Sequence, residues 1–133
     1  MSLDVFLTSF RSGEEVPVDT EALETALAGN GLTGDRATVR TADKGIAELL
    51  VDTDGASFLV EQLTPQMSQL LFDLARDARL VVLPADGTPK AYVVDAGLAA
   101  ALPDDLDSQV VSSSAALHSA LQASVEARGA RTT

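Results

Sequence analysis

Between Arg36 and Leu63, three short runs of strand-forming residues, Arg36 to Thr41, Ile46 to Val51 and Ala56 to Leu63, are separated by Asp43-Lys44-Gly45 and Thr53-Asp54-Gly55. Both breaks have the chemistry of a hairpin turn, so the three runs read as an antiparallel meander. A sheet built on that meander has two faces, and its apolar face has to be covered by the rest of the chain.

The flanking segments supply further strands and the helices that cover them. Leu3 to Phe10 alternates Leu3, Val5 and Leu7 with Asp4, Phe6 and Thr8, the period of a core strand, and Ser12-Gly13-Glu14-Glu15 after it reads as an exposed acidic loop. Asp19 stands where a helix cap is wanted, ahead of a stripe of Leu23, Ala26 and Leu27, with Val18 placed to staple onto Leu23 and Gly29-Asn30-Gly31 as the stop. Thr64-Pro65 opens a second helix, threonine at the cap and proline at the first helical position, with Met67, Leu70, Leu71 and Leu74 on one stripe. Leu80 to Pro84 and Ala91 to Val94 read as a second hairpin around Asp86-Gly87, Ala96 to Leu102 as a short helix closed by Pro103, and Val110-Val111 as a small strand. Ser113 or Ser114 then caps a last helix whose stripe is Leu117, Leu121 and Val125.

This order predicts an α+β fold: a mainly antiparallel sheet of about five to seven strands with two or three helices packed on one face. A strand-helix-strand crossover at either of the first two helices stays open. Residues 1–128 are expected to form a single domain, and 129–133 a flexible tail.

Charge narrows the partners. The 20 Asp and Glu outweigh the 9 Lys and Arg, giving a formal net charge of -11. Such a field repels phosphate backbones and anionic lipid and speeds encounter with basic proteins, so nucleic acid and membrane are disfavoured and a cationic protein is favoured. The same acidity also keeps a protein soluble. Without cysteine there is no disulfide, thiolate nucleophile or cysteine-based zinc site. No run approaches the roughly 18 apolar residues of a membrane span, and Asp4 stands where a signal peptide needs basic residues. The expected address is the cytoplasm.

The motifs that could carry chemistry read as structure. Gly29-Asn30-Gly31-Leu32-Thr33-Gly34 spells the dinucleotide-loop pattern, but it follows a helix and precedes a strand, the reverse of the context that aims a helix N-terminus at a pyrophosphate. It reads as a helix cap and loop. Asp52-Thr53-Asp54-Gly55 lacks the further oxygen ligands of a calcium loop and reads as a turn. His118 is the single histidine, which excludes histidine dyads, and its place beside Leu117 and Leu121 suits the boundary of a packed helix. Ser112 to Ser114 stand at a helix cap, not on a nucleophile elbow. Glu48, Glu61 and Asp73 are free to meet in a cleft, as carboxylate pairs do in space rather than along the chain. No catalytic, cofactor or metal site is expected.

The opening Met1-Ser2-Leu3-Asp4-Val5-Phe6-Leu7, with Phe10 and Gly13-Glu14, resembles a group of small uncharacterised bacterial proteins that begin M-S-x-D-[VI]-[FY]-L-x-x-F-x-x-G-E. Some of these are similar to the immunity proteins of polymorphic toxins, which bind and block a cognate toxin and are not enzymes. The resemblance covers about the first 15 residues, with a looser likeness of layout beyond them, and transfers no site residue.

The expected function is therefore a non-catalytic, acidic protein-binding domain, most concretely an immunity protein that occludes a basic toxin domain. The acids expected to meet the partner are Glu14, Glu15, Asp19, Glu21 and Glu24 around the first helix and Asp104, Asp105 and Asp107 in the late loop. The alternatives are a homo-oligomeric adaptor, and a small-molecule binder or enzyme with a carboxylate pocket. Both a monomer and a homodimer fit the sequence.

Overall fold

The computed structural model of the chain describes residues 3–32, 34–52, 55–85 and 90–131. The turn residues Thr53, Asp54, Asp86 and Gly87 lie outside them. In chain order the elements are β1 (Leu3–Arg11), β2 (Glu14–Val16), α1 (Thr20–Gly29), β3 (Arg36–Arg40), β4 (Ile46–Asp52), β5 (Gly55–Gln62) and α2 (Pro65–Ala78), then β6 (Val81–Pro84), β7 (Lys90–Val93), α3 (Ala96–Ala99), β8 (Asp107–Val110) and α4 (Ser114–Arg131). The architecture is α+β, and among the described residues it has eight strands and four helices, slightly more of each than the sequence leads one to expect.

The strand order is β3-β4-β5-β1-β6-β7-β8, with β2 paired to the far end of β1. The meander forms as expected: β3, β4 and β5 pair antiparallel in sequence order. β1 lies inside the sheet, antiparallel to β5 on one side and to β6 on the other, so β5 and β6 run parallel across it and α2 is the crossover between them. One pair departs from the antiparallel pattern: β8 runs parallel to β7, joined to it through α3.

Alternation divides the sheet cleanly. Leu3, Val5 and Leu7 of β1 face the same side as Val60, Phe58 and Ala56 of β5 and Ala47 and Leu49 of β4, and all are buried. The helical layer covers this inner face. Its middle member is α2, which packs against α1 on one flank and α4 on the other. The stripes are those read from the sequence: Leu23, Ala26 and Leu27, then Met67, Leu71 and Leu74, then Leu117 and Leu121 all enter one core, with Leu70 and Val125 half-buried at its margin. Each fully buried leucine or phenylalanine there is worth about 2 to 3 kcal/mol, so this face dominates the stability.

Helices are not confined to one face, however. Leu98 and Ala99 of α3 and Leu102 and Leu106 after it form a second cluster with Val81, Ala91, Val93 and Phe10. Val82 and Tyr92 of the same two strands belong to the main core, so α3 lies on the outer face, over β6 and β7. Four residues of helix carry too little periodicity to declare a side, which is why the sequence does not separate α3 from the rest.

Capping follows the chemistry of the ends. Asp19 Oδ1 accepts from the Ala22 amide at 3.1 Å, Thr64 Oγ1 from Met67 at 3.2 Å, and Ser113 Oγ from Ala116 at 3.1 Å. At the end of α1, Leu32 N–H donates to Leu27 O and Gly31 N–H to Ala28 O, with Gly31 at φ 78, the paired bonds of a left-handed helix stop. Gly29, Asn30 and Gly31 thus serve a helix cap, and β3 follows it in the chain. α4 continues to Arg131, through Gly129, where the sequence reading begins its tail, while residues 132–133 lie outside the described part.

The turn between β3 and β4 is tied to the start of α2. Asp43 Oδ1 accepts from the hydroxyls of Thr41 (2.5 Å) and Thr64 (2.7 Å), and Oδ2 accepts from the Gln66 amide (3.0 Å). Gln66 Oε1 returns the bond by accepting from Ala42 N–H at 3.0 Å. Partial loss of water pushes the Asp43 carboxyl pKa up, but the bonds from Thr41, Thr64, Gln66 and Gly45 outweigh it and hold the value at about 2. A Cβ on Gly45 would come within 2.5 Å of both threonine hydroxyls, so glycine is needed there for room.

Candidate functional site

The outward positions of the strands are cross-linked by register into rows. One row runs Leu83, Phe6, Ser57, Leu50, Arg36 across β6, β1, β5, β4 and β3. The next runs Asp4, Leu59, Glu48, Thr38. α3 and its following loop pack over β6, β7 and the far end of β1, where Phe10 joins their cluster, and among the described residues no helix covers Phe6, Leu50 and Leu59. Phe6 is 42% exposed, Leu50 43% and Leu59 37%, although all three lie on strands inside the sheet. Singly, such residues need no explanation; here three lie together on the outer face of interior strands and form one apolar patch.

Two shallow hollows share the centre of this patch. One, of about 410 Å³, is lined by Phe6, Leu50, Ser57 and Leu83 with Glu15 and Asp52. The other, of about 370 Å³, is lined by Phe6, Leu50, Ser57 and Leu59 with Asp4, Glu48 and Arg36. Ser57 is the small residue between two large ones, directly opposite Phe6 on one side and Leu50 on the other, so it floors a notch between them. The rim is acidic: among the described residues the two hollows bring Asp4, Glu15, Glu48 and Asp52 against the one base Arg36. Both Glu48 oxygens lie 3.2 Å from the Thr38 hydroxyl, which holds that carboxylate at the margin.

The acids singled out in the sequence are all exposed, but they do not form one surface. Glu14 and Glu15 are not in a loop. Ser12 and Gly13, at φ 52 and 83, make a two-residue turn of the kind that matches strand twist, and both acids lie on β2 as it pairs back on β1. Gly13 N–H donates to Ala101 O at 2.9 Å, and its α-carbon side faces Pro103, so the β1–β2 turn rests on the chain just before Asp104 and Asp105. Glu14, Glu15, Asp104 and Asp105 are thereby gathered at one end of the molecule, and Glu15 reaches the open patch. Asp107 belongs to β8, not to the loop, with Lys90 as its register partner.

The α1 acids are separate from these. Asp19, engaged as the helix cap, and Glu21 line an open groove of about 620 Å³ between α1 and α2, together with Asp73, Asp77 and Arg76. Arg76 is itself bridged to Asp73 at 3.3 Å and Asp77 at 3.1 Å and stands over the Phe72 ring at 5.9 Å. Glu24 points elsewhere, into a hollow with Leu27, Leu32 and Asp35. Of Glu48, Glu61 and Asp73, Glu48 lies on the outer face and Asp73 in the helical layer, so the sheet separates those two, and Glu61 is an exposed residue of β5.

His118 is at the boundary of a packed helix, as its stripe suggests, with one addition: its Nδ1 lies 2.8 Å from Ser68 Oγ on α2. Ser68 is fully buried, so the pair ties α4 to α2 and does not present a hydroxyl to solvent. Among the described residues no three His, Asp or Glu side chains are grouped so as to hold a metal ion. Among them, too, no helix is long and apolar enough to cross a membrane.

The patch leaves only a weak signal in one dimension. Phe6 stands out as an aromatic at a polar position of an alternating strand, but Leu50 and Leu59 sit among other apolar residues, and only pairing puts the three together. No family model matches the chain, and no curated protein or solved structure matches it either.

Proposed function

We propose that the chain is a non-catalytic protein-binding domain that takes a basic partner on the open outer face of its sheet, and that it acts as an immunity protein neutralising a cognate bacterial toxin. The observation that supports this reading is the combination of an uncovered apolar centre, Phe6, Leu50 and Leu59, with a rim of Asp4, Glu15, Glu48 and Asp52. Division of labour follows from physics: the net charge of -11 steers a cationic partner and raises the association rate, while desolvation of the apolar centre sets how slowly it leaves. The end formed by Glu14, Asp104 and Asp105 adjoins this face and extends its field. The resemblance of residues 1–14 to proteins akin to toxin immunity factors supplies the concrete identity of the partner class.

The test is co-expression with the product of the adjacent gene, followed by purification and binding kinetics. A 1:1 complex is expected whose association slows as salt is raised, and Phe6→Ser should speed dissociation by about tenfold or more, the loss typical of an interface hot spot. Absence of any complex would remove the immunity role. A complex indifferent to both salt and Phe6→Ser would remove the outer face as its seat.

A further inference from the structure

We infer that the notch over Ser57 is a socket for one arginine side chain of the basic partner, an inference that rests on the protein-binding reading above. Phe6 and Leu50 face each other across Ser57, two strand spacings or roughly 10 Å apart, and Leu59 lies in the adjoining row. An apolar side chain would fill this notch without using what surrounds it. The carboxylates line the same hollows at both ends of the notch, Asp4 and Glu48 at one and Glu15 and Asp52 at the other. A side chain that suits both parts has an aliphatic stem and a cationic head. Arginine suits them better than lysine, because its planar guanidinium can lie on the Phe6 ring and offer a carboxylate two parallel N–H bonds.

Charge also selects against the other obvious occupant, a second copy of this chain. Two such faces would bring four carboxylates against four, with one arginine each, and two bodies of charge -11 already repel. A basic protein segment carries the complementary sign.

The probe is a capped pentapeptide with one central arginine flanked by leucines, alongside its lysine and glutamate counterparts, titrated into the full chain and followed by amide and methyl NMR shifts. Saturable binding of the arginine peptide is expected, with the largest shifts at Phe6, Ser57, Leu50 and Leu59. Ser57→Leu, which fills the notch, and the double variant Asp4→Asn with Glu48→Gln, which leaves the notch open and removes charge, should each weaken it about tenfold, the loss of roughly one charge-assisted contact. Circular dichroism checks that each variant is folded, and the second changes only exposed or half-exposed groups. Equal affinity for lysine, binding of the glutamate peptide, shifts centred on Asp19 and Asp73, no saturable binding, or indifference to the variants would overturn the socket. If the natural complex forms but survives Ser57→Leu, the socket fails and the protein-binding reading stands; if no natural complex forms, that reading fails.

Discussion

Asp43 shows how one side chain can join two distant parts of the chain. Its carboxylate accepts hydrogen bonds from Thr41 in its own turn and from Thr64 and Gln66 at the start of α2, more than 20 residues later. The turn was legible as Asp43-Lys44-Gly45, and the cap as Thr64-Pro65, but nothing along the chain says that they share an acid. The sign of the pH effect follows from the pKa held at about 2 against an ordinary 3.8. A carboxyl whose folded pKa is depressed contributes stability above its unfolded pKa and loses it as pH falls toward the folded one. The stability difference between wild type and Asp43→Asn should therefore be constant at neutral pH and shrink between pH 3.8 and about 2, as urea midpoints across that range would show. A difference that widened on acidification would refute the assignment. Gly55 is a residue of the same kind: at φ 136, with a Cβ position only 2.0 Å from Leu7 O, it admits no side chain, and that too is a consequence of pairing with β1.

At the scale of elements, helices were the most legible and the short strands the least. Periodicity found the buried stripes of α1, α2 and α4 because each repeats over several turns, whereas β2 has three residues and β8 four, too few for a period to show. The end of α2 is a place where sequence and geometry disagree. Arg79 occupies the left-handed position, φ 55, that α1 gives to Gly31, while Leu80 N–H still donates to Ala75 O. Its 3.6 Å contact with Asp95 joins two largely exposed groups and is worth little. Arg79→Gly should accordingly raise stability by about 0.5 to 1 kcal/mol, by relief of the positive φ. Chemical denaturation measures it, and a loss of stability would mean that the Asp95 contact outweighs the backbone.

Among the described residues, the sheet has one face under three helices and the other only partly covered, by α3 and its loop. Excess negative charge is spread over both sides, on α1 and α2 as well as around the open patch. Such self-repulsion favours the unfolded chain and is screened by ions, so raising salt from low to physiological should raise the melting temperature. A fall on adding sodium chloride would imply that attractive pairs outweigh the repulsion. The mixture of a repulsive field and an uncovered apolar patch makes sense if a cationic partner relieves both at once.

What the sequence by itself determined was local: the meander, the three long helices with their caps and stripes, the reversed glycine pattern, and the sign of the field. These depend on neighbours within a few residues or on a sum over all residues, which the chain carries in one dimension. Only the tertiary structure decided that β5 and β6 flank β1, that α3 covers one part of the outer face, and that Phe6, Leu50 and Leu59 share another part with four carboxylates. Those facts are set by strand register across dozens of residues, where a shift of one position would turn every side chain to the opposite face.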